Sequence, residues 1–209
     1  MESHPLRVYR IPFSTNVERV ALALGHKGVE VEWVDVDPAD RRPVRAVSGQ
    51  DLVPVLVDRD LVLHDSPRIL EHLEVRFPEP PLFPREPARR EELRTFLDWF
   101  NQVWKGAPNL IAAEEERPVP DQERIAQLGR ELAGWLPRFE ALLQGRDFLF
   151  GGELSAVDVT AFPFLKYADL WDEGDDQRFH EILRDAMPLH GRYPRLESWI
   201  HRIDALPRA

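Results

Sequence analysis

Two predicted helix starts carry the residue types from which an anion-binding site could be built. Ser14 follows a short apolar run and opens a helical pattern, while Asp65 and Ser66 precede Pro67 at a second helix start. A helix start presents unpaired N–H groups and the positive end of the helix dipole, and both favour a bound anion. Ser14 and Ser66 are also good helix N-caps, so capping alone is the alternative explanation for either residue.

A proline and a basic cluster lie between these two starts. Pro54 interrupts the apolar run Val53–Val57, where proline is normally disfavoured. We predict a cis Val53–Pro54 bond that exposes the backbone of Val53 to a ligand, an ordinary trans edge proline being the alternative. The acidic first half of the chain contains one basic cluster, formed by Arg41, Arg42 and Arg45. A solvated loop is the alternative for each of these three residues.

The elements that must position these residues alternate between strand and helix up to residue 77. Strands are predicted at Leu6–Arg10, Val29–Val36, Val53–Val57 and Leu61–Leu63. Helices are predicted after Ser14 and from Ser66, with a short helix candidate within Asp37–Gly49. The order βαβ, a helical excursion and then ββα predicts an α/β domain over residues 1–77.

The second half of the chain shows helical spacing only. Residues 78–87 contain five prolines and are predicted to form an extended linker. Helical faces then follow within Leu93–Trp104 and Ile125–Leu142, the latter with a predicted kink at Pro137. Further helices are predicted from Ser155, near Gln177 and near Arg195. Residues 88–209 are therefore predicted to form an all-α domain.

Composition excludes several classes of function. The net charge of −10 is spread over both halves of the chain, which disfavours nucleic acid and anionic membrane surfaces as partners. The chain has no cysteine, so it can form no disulfide, thiolate metal site or catalytic thiol of its own. The seven histidines show no metal-ligand spacing, and we expect no metal site. No leader or membrane-spanning run is apparent, so a cytoplasmic protein is expected.

The segment Phe13–Val20 resembles the active-site segment of serine- and cysteine-type glutathione transferases. In those enzymes a Ser or Cys stands five residues before an Arg and a small β-branched residue, as Ser14 stands before Arg19-Val20. Three further motifs match in order: the Val-Pro strand start at Leu52–Leu56, the acid-Ser pair Asp65-Ser66, and the capping box Ser155–Asp158 behind Gly151-Gly152. The chain is thus similar to bacterial-like, serine-type members related to the zeta, omega and phi pattern.

The resemblance implies a thioredoxin-like domain at 1–77, a linker at 78–87 and a helical domain at 88–209. It implies glutathione as co-substrate, with no permanently bound cofactor. Ser14 would stabilise the glutathione thiolate for attack on a small electrophile, as in detoxification. Val53 and Pro54 would meet the cysteinyl backbone, and Asp65 and Ser66 the γ-glutamyl end. Arg41 and Arg42 are the candidates for the glycyl carboxylate.

Departures from the family pattern argue against two of the reactions that related enzymes catalyse. The zeta type carries Ser-Ser-Cys where this chain has Ser14-Thr15-Asn16, which argues against maleylacetoacetate isomerisation. The omega type has Cys at position 14, so chemistry through a mixed disulfide is not expected here. Thr15 is a rival donor to the thiolate. Tyr9 is another rival, although it is interpreted as a structural strand residue, and Arg19 is interpreted as structural within the first helix.

Alternatives to a transferase also remain. One is a binding or scaffold protein that keeps the fold, since fold alone does not fix function. Another is a glutathione-dependent isomerase or dehalogenase using the same thiolate. A homodimer is predicted from the resemblance and from Trp99 and Phe100, which widen the apolar face of the helix after the linker. In that dimer Asp98 would reach the partner's glutathione, whereas in a monomer these aromatic residues would line the acceptor pocket.

Overall fold

A computed structural model of the chain describes residues 5–209 and divides them into two compact units. The first unit holds the described residues up to Phe83 together with Leu206–Ala209, and the second is Pro84–Ala205. The boundary lies within the proline-rich segment 78–87. The last four residues, predicted as part of the helical domain, belong to the first unit.

The first unit is a four-stranded mixed sheet with three helices. Its elements are β1 (Leu6–Arg10), α1 (Thr15–Lys27), β2 (Val31–Asp35), α2 (Arg42–Ser48), β3 (Val55–Asp58), β4 (Leu61–His64) and α3 (Ser66–Arg76). The strand order is β2-β1-β3-β4, with β1 parallel to β2 and the other two pairs antiparallel. Tyr9 on β1 is opposite Val55 on β3, and its side chain lies in the core as predicted. The α/β prediction is confirmed.

Helix α1 is buried around most of its circumference and carries two buried cations, Arg19 and Lys27. The side chain of Lys27 is fully buried. Its Nζ donates to Glu74 Oε2 at 2.8 Å, to the Phe77 carbonyl at 2.7 Å and to the Pro80 carbonyl at 3.0 Å. Glu74 in turn accepts from the backbone N–H groups of Leu82 and Phe83. The buried pair therefore fastens the first part of the proline-rich segment to α1 and α3.

The final residues of the chain pack against the same helix. Arg208 Nη2 donates to Glu18 Oε1 at 2.9 Å, and Trp33 Nε1 donates to the Ala209 oxygen at 2.9 Å. A Cβ atom at Gly25 would lie 2.1 Å from the Pro207 carbonyl oxygen, so the close approach of this segment requires glycine there. Residues 206–209 thus cover α1 on a face that the sequence alone did not assign to any partner.

The second unit is helical, as predicted. Its elements are α4 (Pro87–Trp99), a π-helical turn (Phe100–Trp104), α5 (Gly106–Glu115), α6 (Gln122–Ala133), α7 (Leu136–Leu142), α8 (Ala156–Leu165), a 3₁₀ turn (Lys166–Ala168), α9 (Arg178–Ala186) and α10 (Pro194–Asp204).

Two helix predictions in this unit need correction. The run Ile125–Leu142 is not one kinked helix, because it breaks between α6 and α7 and places Pro137 in the first turn of α7, where proline is tolerated. Helix α5 was not predicted, and its weak apolar face offers little periodicity to detect.

The capping box at the start of α8 is present and fully used. Asp158 is completely buried and accepts from the backbone N–H groups of Leu149 and Ser155, from the Ser155 hydroxyl and from Trp199 Nε1. Burial raises the pKa of Asp158, while these four donors oppose the rise. One carboxylate therefore joins α8, α10 and the preceding loop.

A buried polar network connects the segment after α8 to α9. Asp175 Oδ2 lies 2.6 Å from His180 Nδ1 and accepts from the Tyr167 hydroxyl at 2.9 Å. The Tyr167 and His180 rings stack with centroids 4.4 Å apart. Lys166 and Asp172 are the other charged groups near the imidazole. Burial lowers the pKa of His180 despite the neighbouring carboxylate, so the fold favours the neutral ring.

Replacing Lys27 by Met should destabilise the protein by about 3–5 kcal/mol, because it leaves the Glu74 carboxylate buried without its cation. Chemical denaturation measures this loss. Adding Glu74→Gln to Lys27→Met should recover part of the stability by removing the uncompensated charge. A Lys27→Met protein as stable as the wild type would show that the pair does not hold this segment.

Acidification should weaken the fold through His180. Its pKa is lower in the folded state than the unfolded value of about 6.5, so the unfolded chain binds the proton first and stability falls as the pH drops below about 6.5. His180→Asn keeps a donor near Asp175 but does not titrate. Between pH 7.5 and 5.5 the wild type should lose roughly 1 kcal/mol more unfolding free energy than this variant. Equal losses in the two proteins would contradict the assignment.

Candidate functional site

Ser14 is the N-cap of α1, as its position in the sequence predicts. Its Oγ accepts a hydrogen bond from the Val17 N–H at 3.4 Å, and its side chain is half-buried. This bond uses a lone pair of the hydroxyl oxygen and leaves the hydroxyl proton to donate elsewhere. Capping and the stabilisation of an anion are therefore compatible at this residue.

The residue before each candidate serine has a positive φ angle. Phe13, before Ser14, has φ 58°, and Asp65, before Ser66, has φ 75°. For non-glycine residues this region is sparsely populated, and such strain often accompanies functional sites. Both helix starts are therefore held in backbone geometry that the local sequence alone would not favour.

The starts of α1 and α3 are joined by side chains. Arg19 Nη1 donates to Ser66 Oγ at 3.2 Å, and Ser66 Oγ lies 3.5 Å from Asn16 Oδ1. The N-cap of α3 is Asp65 and not Ser66, which was predicted to cap it; Ser66 is the first residue of the helix. Ser66 is only 2% exposed, whereas Asp65 is exposed. Burial lowers the pKa of Arg19 to about 9, partly opposed by the negative charge of Asp65. A cation thus lies buried behind the acid-Ser pair.

The Val53–Pro54 bond is cis, as predicted. The strand itself begins only at Val55, so Val53 and Pro54 precede the ladder that β3 forms with β1. Val53 is buried in the same apolar cluster as Val17 in the first turns of α1. The residue before the cis bond is therefore packed in the same core cluster as the first turn of α1.

The basic cluster lies at the start of α2 and is largely ion-paired. Arg42 forms a two-bond ion pair with Asp40, at 2.8 and 2.6 Å, and lowers the pKa of that carboxyl to about 2. Arg45 forms a similar pair with Asp51. Arg41 is half-buried, and its Nε donates to the Pro38 carbonyl.

The aromatic residues after the linker divide between core and surface. Phe100 is completely buried and stacks on Trp104 with centroids 4.5 Å apart, so it belongs to the core and not to a surplus surface edge. Trp99 is half-buried and lines a cavity of about 730 Å³ within the helical unit. The other apolar residues of this cavity are Phe96, Trp135, Phe139, Ala141 and Leu142. Asp98 is exposed on α4.

In the described part of the helical unit, one group of three side chains is of the kinds that can bind a metal ion. Ligand atoms of Asp169, Glu197 and His201 lie within 4.8 Å of one another. Asp169 Oδ2 and His201 Nε2 already lie 2.8 Å apart, and this direct contact accounts for the approach of the two residues without a metal.

Sequence reasoning missed the contact between Arg19 and Ser66. A signal for it existed, because Arg19 lies within the apolar stretch of α1 and shares a helical face with the buried Lys27, eight residues on. A charged residue on a buried face must find a polar partner. The sequence could not say that the partner lies 47 positions away.

No helix among residues 5–209 is long and apolar enough to cross a membrane.

Both units match models of one protein family. The glutathione S-transferase N-terminal domain matches residues 8–81, and the glutathione S-transferase C-terminal domain matches residues 122–202.

Relatives and a solved structure agree with these matches. FtsZ-localized protein A of Caulobacter vibrioides is 30% identical over 197 residues, covering 88% of this chain and 86% of that protein. A stringent starvation protein A homolog of Haemophilus influenzae is 34% identical over 148 residues, covering 70% of this chain and 67% of its own. A glutathione S-transferase of Methylobacterium radiotolerans, solved with glutathione sulfonate, has TM-score 0.75 and 25% identity over 98% of this chain and 95% of that one. This chain therefore belongs to the glutathione S-transferase family.

Proposed function

We propose that this protein is a cytoplasmic glutathione transferase that binds glutathione in its first unit and activates the thiol for attack on a small electrophile. The observation that carries the proposal is the pair of helix starts, at Ser14 and Ser66, joined through Arg19. Both starts offer N–H groups and hydroxyls to an anionic ligand. The Methylobacterium radiotolerans relative, solved with glutathione sulfonate, adds support from the family.

In this proposal Ser14 stabilises the thiolate and is not itself the nucleophile. A free thiol has a pKa of about 8.5, so the site must favour the anion. The start of α1 contributes roughly 0.3–1 kcal/mol, or up to about 2 when partly buried. A hydroxyl donating to the sulfur adds roughly 1.5–3 kcal/mol. At about 1.36 kcal/mol per pKa unit, the two effects lower the thiol pKa by one to three units.

The remaining candidate residues surround the rest of the peptide in this proposal. Val53 and Pro54 precede the ladder of β3, which suits pairing with the cysteinyl backbone of glutathione. Asp65 would pair with the γ-glutamyl ammonium and Ser66 with its carboxylate. Arg41 and Arg42 would meet the glycyl carboxylate, which must compete with Asp40 for Arg42.

A second candidate function is a binding or scaffold protein that performs no transfer. Two relatives favour it, because they are named for localisation with FtsZ and for stringent starvation instead of for a transferase reaction. Glutathione distinguishes the candidates: an enzyme must bind it and lower its thiol pKa, whereas a scaffold need not. An isomerase or dehalogenase would use the same thiolate: an isomerase would release it again after the substrate rearranges, and in a dehalogenase halide would be the leaving group.

We also propose a homodimer in which the helical unit contributes an apolar surface. The cavity beside Trp99 is walled by aromatic side chains, and Val103 and Leu110 are exposed on the adjoining helical turns. Exposed apolar patches of this kind seldom remain uncovered. The proposed role of Asp98, reaching the partner's glutathione, depends on this dimer.

Ser14→Ala should preserve the fold and keep glutathione affinity within a few fold. It should lower kcat/KM by roughly ten- to a hundredfold, since one donor to the thiolate is worth about 1.5–3 kcal/mol. The ultraviolet absorbance of the bound thiolate, followed against pH, should show a raised thiol pKa.

Ser14→Thr is the matched control, because it keeps both the hydroxyl and the cap. It should retain most of the activity. If Ser14→Ala turns over at the wild-type rate from pH 6 to 8, Ser14 is only a helix cap. Thr15 and Tyr9 would then be the next residues to substitute.

The dimer is tested by sedimentation equilibrium. The wild type should sediment at about twice the 24.3 kDa chain mass at micromolar concentration, and Trp99→Lys should shift it to the monomer by placing a charge in the apolar surface. Val119→Lys, at a residue 80% exposed, is the control and should stay dimeric. A wild-type protein of single-chain mass would contradict the dimer.

A further inference from the structure

Arg19 is a buried cation that the proposed reaction does not use. It is 1% exposed, and it reaches the candidate site through the Ser66 hydroxyl. Burying a charge carries a large desolvation cost, and an apolar side chain of similar volume is often as stabilising or more so. The partners of Arg19 include both residues of the acid-Ser pair: Nη1 donates to Ser66 Oγ at 3.2 Å, and the guanidinium is attracted to the Asp65 carboxylate.

The bond from Arg19 fixes what the Ser66 hydroxyl can do. A hydroxyl has one proton and two lone pairs, whereas an arginine can only donate. Because Arg19 donates to one lone pair of the Ser66 oxygen, the hydroxyl proton must point away from Arg19 and toward an acceptor elsewhere. The nearby acceptor is Asn16 Oδ1 at 3.5 Å, which is beyond the usual range of about 2.5–3.0 Å for an O–H···O bond. The hydroxyl is therefore oriented as a donor that is only weakly engaged.

Arg19 supports the contact of Ser66 with a ligand, but it weakens the contact of Asp65 with one. Its positive charge partly neutralises that carboxylate, which weakens the attraction between Asp65 and a ligand ammonium. The same charge attracts a ligand carboxylate that approaches Ser66. One buried guanidinium thus favours a carboxylate and disfavours an ammonium at the start of α3.

We propose that Arg19 is a positioning residue that makes the start of α3 selective for the α-carboxylate of a γ-glutamyl ligand by presenting the Ser66 hydroxyl as a donor. The inference rests on the proposed glutathione site. The inference adds that the carboxylate of the γ-glutamyl group, and not its ammonium, supplies most of the binding free energy at this end of the ligand.

Three peptides allow the contributions of the ligand's ammonium and α-carboxylate to binding to be measured separately. Glutathione carries both, glutaryl-Cys-Gly lacks the amine, and 4-aminobutyryl-Cys-Gly lacks the α-carboxylate. Their dissociation constants are measured by calorimetry for the wild type and for Arg19→Met, Arg19→Gln and Arg19→Lys, and thermal melting checks that each variant is folded. The wild type should bind glutaryl-Cys-Gly more tightly than 4-aminobutyryl-Cys-Gly.

Arg19→Met and Arg19→Gln should weaken glutaryl-Cys-Gly by roughly ten- to a hundredfold, as expected for the loss of a charged contact. The same variants should leave the affinity for 4-aminobutyryl-Cys-Gly unchanged or raise it, since the Arg19 cation no longer partly neutralises the Asp65 carboxylate. Arg19→Lys keeps the charge and should retain the wild-type order of the two analogues. A merely structural role would weaken all three peptides together, and that result would overturn the proposal.

The Ser66→Ala background provides the second test. If Arg19 acts through Ser66, most of its effect on glutaryl-Cys-Gly should disappear when the hydroxyl is absent. Should the two neutral variants not fold, the comparison uses Arg19→Lys: its shorter donor should weaken glutaryl-Cys-Gly by several fold with Ser66 present and not with Ser66→Ala. An equal effect in both backgrounds would contradict the proposal. A wild type that binds none of the peptides would instead overturn the proposed function itself.

Discussion

The packing of α1 against α3 is the constraint on which the candidate site depends, and two buried cations of α1 maintain it. Arg19 bonds to Ser66 at the start of α3, and Lys27, two turns further along α1, bonds to Glu74 near its end. With the two helices joined at two points, a separation of the helix starts would break the bond from Arg19 to Ser66 and leave a buried cation without that partner. The geometry of the site therefore follows from charge burial as much as from apolar packing.

The site itself is costly to fold, and its stability comes from elsewhere. Phe13 and Asp65 hold positive φ angles immediately before the two serines, and Arg19 is desolvated behind them. Such strain persists only where the surrounding structure over-determines it. Here the surroundings are the sheet core and the apolar cluster that includes Val17 and Val53. Backbone strain of this kind is often found at binding sites, where the surrounding structure holds it in place.

What the sequence could predict depended on how local each interaction is. The cap at Ser14 and the capping box between Ser155 and Asp158 involve residues three apart, so spacing alone identified both. The contact from Arg208 to Glu18 spans 190 positions, and no pattern in the sequence encodes it. Phe100 lies seven residues after Leu93 on one helical face, and both are completely buried, so spacing also identified this core position; its use as part of a wider apolar surface edge was wrong.

The buried Arg19 also bears on the choice between an enzyme and a scaffold. In a scaffold that binds no anion at the start of α3, the bond from Arg19 to Ser66 would serve only to hold α1 against α3, at the cost of desolvating a charge. The strained Asp65 and the recessed Ser66 would likewise have no ligand to serve. A guanidinium in that position is accounted for if a carboxylate binds in front of it. The first unit thus favours a ligand-binding protein, whatever surface the helical unit offers to a partner.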